Sequence, residues 1–432
     1  MENILAQAKE VAEEAEVFMV SSEEIPVQFE ANRLKHIQSK QSSSLALRII
    51  RQGKIGYSAT TELGDSQRLV NDAVETAQFG MPAKFEFPSP VSYPRIEVFD
   101  PDTESVSIEE MIKLGEELIT VVRGHTPEIV CQAAVTKSIT SVRIINSRGG
   151  QANYRISTFG LGIEGSLIHD TDMLFVGDSE SSCHTILRSE AVAETVIQQL
   201  ELAKNRASAP SRPLPVIFTP NGVASALISP LMAAFNGKIV LEGASPLGNK
   251  LGQPVFDKNL WLWDDPTIAY RPESRPCDDE GAPSQCTPLI EQGTIVNFLY
   301  DLQTAALAHT QSTGNGSRNR GLPAPSPSAF IIAPGNTTFG EMVNDMKEGL
   351  VIEQLMGAEQ GNILGGDFSG NVLLGFKVEN GRIVGRVKDT MVSGNIYQIL
   401  KQITAIGSDA KWVGGSLKTP HLYCPSLSVA SK

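Results

Sequence analysis

The chain has 432 residues, 41% hydrophobic and 20% charged, which is typical of a folded globular protein and argues against a disordered or membrane-spanning one. Its 36 lysines and arginines stand against 49 aspartates and glutamates, and the resulting net charge of -13 opposes binding to a nucleic-acid backbone. The 37 glycines and 25 prolines predict many turns and exclude a long helical bundle.

The first 90 residues predict an α+β domain. A helix of period 3.6 at residues 4–12 precedes strands at 16–20, 27–29 and 44–50. The two apolar segments that flank residues 51–54 predict a hairpin, because Gly53 can adopt the positive φ of a tight turn. A helix over residues 65–79, with its apolar side chains on one stripe, is expected to cover this hairpin sheet.

A second α+β domain is predicted for residues 91–206. It follows a proline-rich stretch and begins with a helix near residues 108–122, which Ser107 can cap. Two strands then flank a turn at residues 147–150, and a helix at 186–204 ends the domain. The proline-rich segment 207–215 predicts the link to the next domain, because proline resists both helices and central strands.

Residues 207–432 predict a β-rich C-terminal domain. Short helices are expected near residues 221–235, 339–346 and 395–403, and hairpin turns at 291–293 and at Asn380-Gly381. The predicted fold class is therefore α+β. Two hairpin-sheet domains precede an antiparallel, barrel-like sheet domain.

The histidines do not indicate a metal site. The closest pair in sequence, His169 and His184, is 15 residues apart, so no two can hold one ion from adjacent turns of a helix. The segment His169–Asp172 could ligate a metal only with distant residues, and a surface loop is the alternative. Neither GxSxG nor a local Cys-His signature indicates a nucleophilic triad.

Two polar segments of the C-terminal half are candidates for substrate contact. Carboxylates at residues 278–280 could hold a hard cation or supply acid and base, and a solvated turn is the alternative. The glycine-rich segment 312–320 predicts a flexible loop that lines a cavity, where Arg318 can grip a carboxylate. We expect substrate contact at Ser312, Asn315, Arg318, Asp278 and Glu280. As an exposed loop residue, Arg318 should contribute less than ~0.5 kcal/mol to stability; the alternative is an internal pair with an acidic residue such as Asp301.

The cysteines and the N-terminal sequence predict a cytoplasmic protein. Five cysteines at wide spacings without CxxC fit reduced thiols. The acidic first helix lacks the basic and apolar regions of a signal peptide. No apolar run approaches the ~18 residues that a membrane span needs, so we expect no membrane contact.

Several segments appear in an order typical of one protein family. The C-terminal half contains DDEGAPSQCTPLIEQGTIVNFLYDLQTAA, then STGNGSR, then NILGGDFSGNVLLGFKVENGRIVGRVKDTMVSGN. The N-terminal segments SLALRIIRQGKIGYSATTE and NSRGGQANYR fit the same order. Together they resemble the TldD/PmbA family, known historically as modulators of DNA gyrase and understood as peptidase subunits.

The resemblance implies a subunit without a zinc site. One kind of subunit in this family carries an HExxxH motif, which would fall here on residues 229–234. Ser229 and Ala234 occupy the two histidine positions, and Pro230 occupies that of the general-base glutamate. The resemblance therefore implies the PmbA/TldE type, with no catalytic residue, metal ligand or cofactor of its own. Read as an ordinary helix start, the same segment makes Ser229 the N-cap and Pro230 the first helical residue.

The resemblance also implies a partner and a substrate class. The partner would be a zinc-bearing TldD-type paralogue in a heterodimer, with a homodimer as the alternative. The substrates would be unfolded or extended peptides, bound as an added strand. Two other functions remain open: a stand-alone homodimeric hydrolase that uses residues 278–280 and His309, and a regulator of gyrase or another nucleic-acid enzyme.

Overall fold

The structure is a computed structural model that describes residues 1–318 and 321–431. The N-terminal part comprises five helices and seven strands within these ranges. They are α1 (Glu2–Lys9), β1 (Glu14–Glu30), β2 (Arg33–Ile37), β3 (Lys40–Arg51), β4 (Lys54–Thr60), α2 (Ser66–Ala77), α3 (Pro101–Ser105), α4 (Ile108–His125), β5 (Val130–Asn146), β6 (Gln151–His169), β7 (Asp172–Ser182) and α5 (Glu190–Leu202).

These strands form one seven-stranded antiparallel sheet in the order β4-β3-β1-β5-β6-β7, with β2 paired to the far end of β1. Helices α1 and α2 pack on one end of one face, and α4 and α5 pack on the other end of that face. The boundary predicted at residue 90 falls between strands of this sheet, because β1 pairs with β5. The division into 1–90, 91–206 and 207–432 stays a prediction.

The C-terminal part is richer in strands. Its elements are β8 (Arg206–Ala207), β9 (Leu214–Phe218), α6 (Pro220–Ala226), α7 (Ile228–Ala234), α8 (Gly237–Leu241), β10 (Leu262–Asp264), β11 (Thr287–Glu291), β12 (Thr294–Ile295), α9 (Leu302–Leu307), β13 (Gly316–Ser317), β14 (Ala324–Pro325), β15 (Phe330–Ile332), α10 (Phe339–Asp345), β16 (Glu348–Met356), a 3₁₀ turn (Ala358–Gln360), β17 (Asp367–Glu379), β18 (Arg382–Val387), β19 (Thr390–Asn395), α11 (Ile396–Ile399), β20 (Ala405–Val413) and β21 (Leu417–Ser431).

The predicted barrel-like sheet is confirmed. Strands β9, β16, β17, β19 and β21 pair in a closed ring, because β21 returns to pair with β9. The β9–β16 pair is parallel, so the sheet is not wholly antiparallel as predicted. The chain leaves β9 through α6 and comes back as β16 only after the inserted elements, which allows the parallel alignment. The α+β fold class is confirmed as well.

The predicted hairpin turns are confirmed by their backbone geometry. Gln52 and Gly53 have φ of 52° and 69° between β3 and β4, and Asn380 and Gly381 have φ of 50° and 77° between β17 and β18. Successive positive φ values match the twist of the flanking strands. The third predicted turn, at residues 291–293, joins β11 to β12.

Two predicted elements differ from the structure. The expected helix over residues 221–235 is broken at Leu227, which ends α6 and precedes α7. The two short strands expected at 16–20 and 27–29 are one strand, β1, of 17 residues. In the part of the chain that the structure describes, no helix has the length and apolar character needed to cross a membrane.

Candidate functional site

The three positions on which the resemblance places the zinc motif, residues 229, 230 and 234, lie on α7. Leu227 is the N-cap, so the expected N-cap role of Ser229 is wrong: α6 and α7 share Leu227, and Ser229 already lies inside the helix. The Ser229 hydroxyl donates to Glu359 Oε1 at 2.7 Å. The Pro230 carbonyl accepts from the Tyr397 hydroxyl at 3.3 Å, and Ala234 is fully buried.

These groups do not fit a zinc ion. Zinc sites in proteins use imidazole, thiolate or carboxylate donors in a tetrahedral arrangement. The three motif positions offer a hydroxyl that is already bonded, a ring without a donor and a methyl group. Within residues 1–318 and 321–431, the His, Cys, Asp and Glu side chains form no group of three or more that could hold a metal ion.

Four of the five substrate-contact candidates converge in a buried polar cluster between the N-terminal sheet and residues 277–318. Asp278 and Glu280 are 0% exposed and Asn315 is 1% exposed. The Arg318 side chain is 4% exposed, so the expected exposed loop at this position is wrong. The fifth candidate, Ser312, is half-buried at the edge of the cluster, where its hydroxyl donates to the Tyr300 carbonyl at 3.2 Å. Residues 319 and 320 of the same predicted loop lie outside the described residues.

The centre of the cluster is an alternating chain of charges. Glu16 on β1 lies opposite Arg48 on β3, and Arg48 Nη2 donates to Glu16 Oε2 at 3.2 Å. Arg48 Nη1 donates to Glu280 Oε1, and Arg318 Nη2 donates to the second carboxylate oxygen of Glu16, Oε1. In the order Arg318–Glu16–Arg48–Glu280, each of the two inner residues therefore has an oppositely charged residue on both sides. We refer to these four residues as the ionic chain.

Aromatic rings and carboxylates surround the two guanidinium groups of the ionic chain. The Phe85 and Phe87 rings lie 4.7 and 4.9 Å from the Arg48 guanidinium carbon, and the Phe18 ring lies 5.1 Å from that of Arg318. Burial lowers the pKa of Arg48, but the charges of Glu16 and Glu280 outweigh burial and raise it overall. Arg48 therefore stays protonated in an environment that excludes water.

Asp278 shapes the backbone beside the ionic chain. Its Oδ1 accepts from the amides of Glu280 and Ala282, both at 2.9 Å, and its Oδ2 accepts from the amide of Gly316 at 2.8 Å. Burial, reinforced by the neighbouring Glu280 charge, raises the pKa of the Asp278 carboxyl well above its ordinary value. The alternative of a solvated turn at residues 278–281 is therefore wrong.

Arg318 does have internal partners, but Asp301 is not one of them. Its amide donates to Asp279 Oδ2 at 2.8 Å and its Nε donates to the Asp279 carbonyl at 3.1 Å. Asp301 instead caps α9 by accepting from the Thr304 amide at 2.7 Å. Asn315 donates to Asp264 Oδ2 at 2.7 Å. This arrangement is an internal contact between the N-terminal sheet and the C-terminal part of the chain, because its carboxylates are already bonded to guanidinium and amide groups.

A second feature, the interdomain groove, was not found from the sequence. It encloses about 810 Å³. One side is formed by β1, β5, β6 and β7 near residues 28–30, 130–134, 162–166 and 175–179, and the other by α6, β16, β17 and β20. The two sides are far apart in sequence, so no local pattern marks it. The closest signal is GLGIEG at 160–165, in which Gly162 and Gly165 line the groove on β6.

Comparisons with known proteins agree with the fold. Residues 211–431 match the model of the PmbA/TldA metallopeptidase C-terminal domain, and residues 15–77 match PmbA/TldA metallopeptidase domain 1. The Metalloprotease PmbA homolog of Haemophilus influenzae is 25% identical over 414 residues, 91% of this chain and 87% of that protein. The uncharacterized protein MJ0231 of Methanocaldococcus jannaschii is 29% identical over 413 residues, 93% of each chain.

A solved structure extends this agreement to the whole chain. TldE from Thermococcus kodakarensis aligns with a TM-score of 0.90 and 22% sequence identity, and the match covers 100% of both chains. At this identity the likeness shows a common fold. The first family model alone spans more than half of the sequence. The chain therefore belongs to the TldD/PmbA family.

Proposed function

We propose that this chain is a non-catalytic, PmbA/TldE-type subunit of a cytoplasmic metalloprotease. A zinc-bearing, TldD-type paralogue would hydrolyse unfolded or extended peptides, and this chain would complete the chamber that receives them. The observation that carries the proposal is the chemistry of α7. Ser229, Pro230 and Ala234 stand at the motif positions and are engaged in packing and hydrogen bonds.

The packing of α7 supports a role without metal. Leu231 is 1% exposed and Ala234 is 0% exposed, and both belong to the hydrophobic core of the C-terminal part. A histidine at residue 234 would need volume that this core does not offer. The helix is thus held by apolar contacts at the place where the zinc-bearing relatives would need ligands.

The stand-alone hydrolase receives no support from the geometry. Its acidic residues, at 278–280, are bonded within the buried cluster, whereas His309 is exposed at the end of α9. These groups do not form one site open to substrate. A gyrase regulator that binds DNA would have to overcome the net charge of -13.

The test is reconstitution from separate subunits. The chain is purified alone and together with a zinc-bearing paralogue from the same genome, and each sample is analysed for mass in solution, zinc per chain and cleavage of an unfolded peptide. We expect the isolated chain to be inactive and to retain no stoichiometric zinc, and the pair to form a two-chain particle that cleaves. A paralogue with glutamine in place of its motif glutamate is the control, and that pair should assemble without cleaving.

Two results would contradict the proposal. One is about one zinc per isolated chain, retained after mild chelation and accompanied by peptidase activity. The other is failure of the two chains to associate at micromolar concentration, which would remove the basis for a shared chamber. A particle that contains only this chain would support the homodimer in place of the heterodimer.

A further inference from the structure

The interdomain groove is open along one face of the N-terminal sheet. On β5 and β6 the residues at 132, 134, 162 and 164 point into it, while their neighbours are buried in the core on the opposite face. Its floor crosses four adjacent strands, β1, β5, β6 and β7. At a strand spacing of ~4.8 Å this floor is ~14 Å wide, the length of about four residues of extended chain.

The groove is acidic. Glu30, Glu164, Asp178 and Glu353 line it, and none of the described lining residues is a lysine, arginine or histidine. Two lysines from outside the lining pair with two of these charges: Lys411 Nζ lies 2.6 Å from Asp178 Oδ2, and Lys35 Nζ lies 3.8 Å from Glu30 Oε2. Glu164 is exposed and has no ion pair among the described residues. The groove therefore carries an excess of negative charge.

Apolar and small residues separate the carboxylates. Val130 is 45% exposed and Phe175 is 37% exposed, although both line the groove. Gly162 and Ala134 form another part of the same floor, and their small size leaves room for a main chain to approach. Amide side chains at Gln28 and Gln132 add hydrogen-bonding groups without adding charge. The side chains of lysine and arginine, which end in a cation on an aliphatic stem, match this alternation of apolar and acidic surface.

We propose that the interdomain groove binds an extended peptide segment rich in lysine or arginine. The apolar floor would cover the aliphatic stems, and Glu164 and Glu353 would receive the cationic ends. The volume of about 810 Å³ lies in the range of ~300–1,000 Å³ that is usual for ligand pockets. The proposal rests on the proposed function in one respect only, the choice of a peptide as the ligand class, and it assigns a charge preference to this chain.

The test measures binding to the isolated full chain, so it needs neither zinc nor cleavage. A fluorescently labelled, alternating lysine–valine peptide is titrated by anisotropy at low salt. Two matched probes carry acetylated lysines or glutamates in place of the lysines. We expect the lysine probe to bind at least about fivefold more tightly than the acetylated one, and affinity to fall as salt rises.

Variants locate the binding. Glu164→Lys should weaken the lysine probe by at least about fivefold, because it removes an attraction and adds a repulsion at an exposed position that does not affect folding. Glu75→Lys, an equal charge change on the exposed side of α2, is the control and should weaken binding less than about twofold. A double change with Glu353→Gln should weaken binding further.

The outcomes separate this proposal from the proposed function. Equal affinity for the lysine and acetylated probes, or equal effects of Glu164→Lys and Glu75→Lys, would overturn the groove assignment whether or not the two-chain enzyme cleaves. Displacement of the probe by a stoichiometric amount of the zinc-bearing paralogue would assign the groove to that partner instead. Selective binding that persists in the two-chain particle would support the proposal even if no peptidase activity is found.

Discussion

Replacement of Arg318 by alanine should destabilise the protein by about 3–5 kcal/mol. Its guanidinium is 4% exposed and donates to Glu16, which is 0% exposed. Removing one member of a buried ion pair costs ~3–5 kcal/mol, because the remaining charge stays away from water. Arg48 still contacts Glu16 in the variant, which limits the loss, but the contact with the Phe18 ring at 5.1 Å disappears, at a cost of ~0.5–2 kcal/mol. This cost far exceeds the limit of ~0.5 kcal/mol expected for an exposed loop residue.

Urea unfolding at neutral pH, followed by tryptophan fluorescence, measures the effect. Arg143→Ala is the control, because Arg143 and its partner Glu2 are 45% and 68% exposed, and a surface pair is worth less than ~1 kcal/mol. A double-mutant cycle between Glu16→Gln and Arg318→Met should give a coupling energy above ~1 kcal/mol. If Arg318→Ala costs no more than its surface control, the buried ion pairs of the ionic chain do not stabilise the fold. Reduced cleavage by the two-chain enzyme at unchanged stability would instead restore substrate contact at Arg318.

Three further predictions concern the motif helix, the pH dependence and the independence of the two sites. The triple variant Ser229→His, Pro230→Glu, Ala234→His should gain neither stoichiometric zinc nor efficient peptidase activity, and overpacking at residue 234 should cost ~1–3 kcal/mol in urea unfolding. Robust zinc-dependent cleavage would show that the rest of a site is intact. Burial raises the pKa of Asp301 from 3.8 to about 6, so its contribution is fully present below about pH 4 and is lost as the pH rises through 6. The stability of wild type relative to Asp301→Asn, which keeps the helix cap, should fall by up to ~3 kcal/mol between pH 4 and 7, and a constant difference would contradict this. Finally, Glu16 in the ionic chain and Gln28 in the groove are separated by ~40 Å along β1. The double variant Arg318→Ala, Glu164→Lys should therefore show the stability loss of the first change and the binding loss of the second, each unaffected by the other. A double variant whose binding loss differs severalfold from that of Glu164→Lys alone would show that the two regions communicate.

The features that could be predicted from sequence are those with a local cause. The turn at Asn380-Gly381 was predictable because two adjacent residues set its backbone geometry. The full length of β1 was not, because residues 21–26 lack an apolar alternation and are held in part by polar contacts such as that between Ser22 and Thr140 at 3.0 Å. The burial of Arg318 depends on Glu16, 302 positions away in the sequence. A glycine-rich segment with an arginine is typical of an exposed loop until that partner is known.

The same distinction explains why the fold at residues 229–234 needs no metal. In many small metal-binding domains the bound ion supplies folding energy, so removing its ligands unfolds the chain. Here α7 is held by the core around Leu231 and Ala234 and by hydrogen bonds with Tyr397 and Glu359. None of these contacts requires a metal. The proposed absence of a zinc site is therefore compatible with an intact fold, and in the proposed two-chain enzyme this chain would contribute surface, including the interdomain groove.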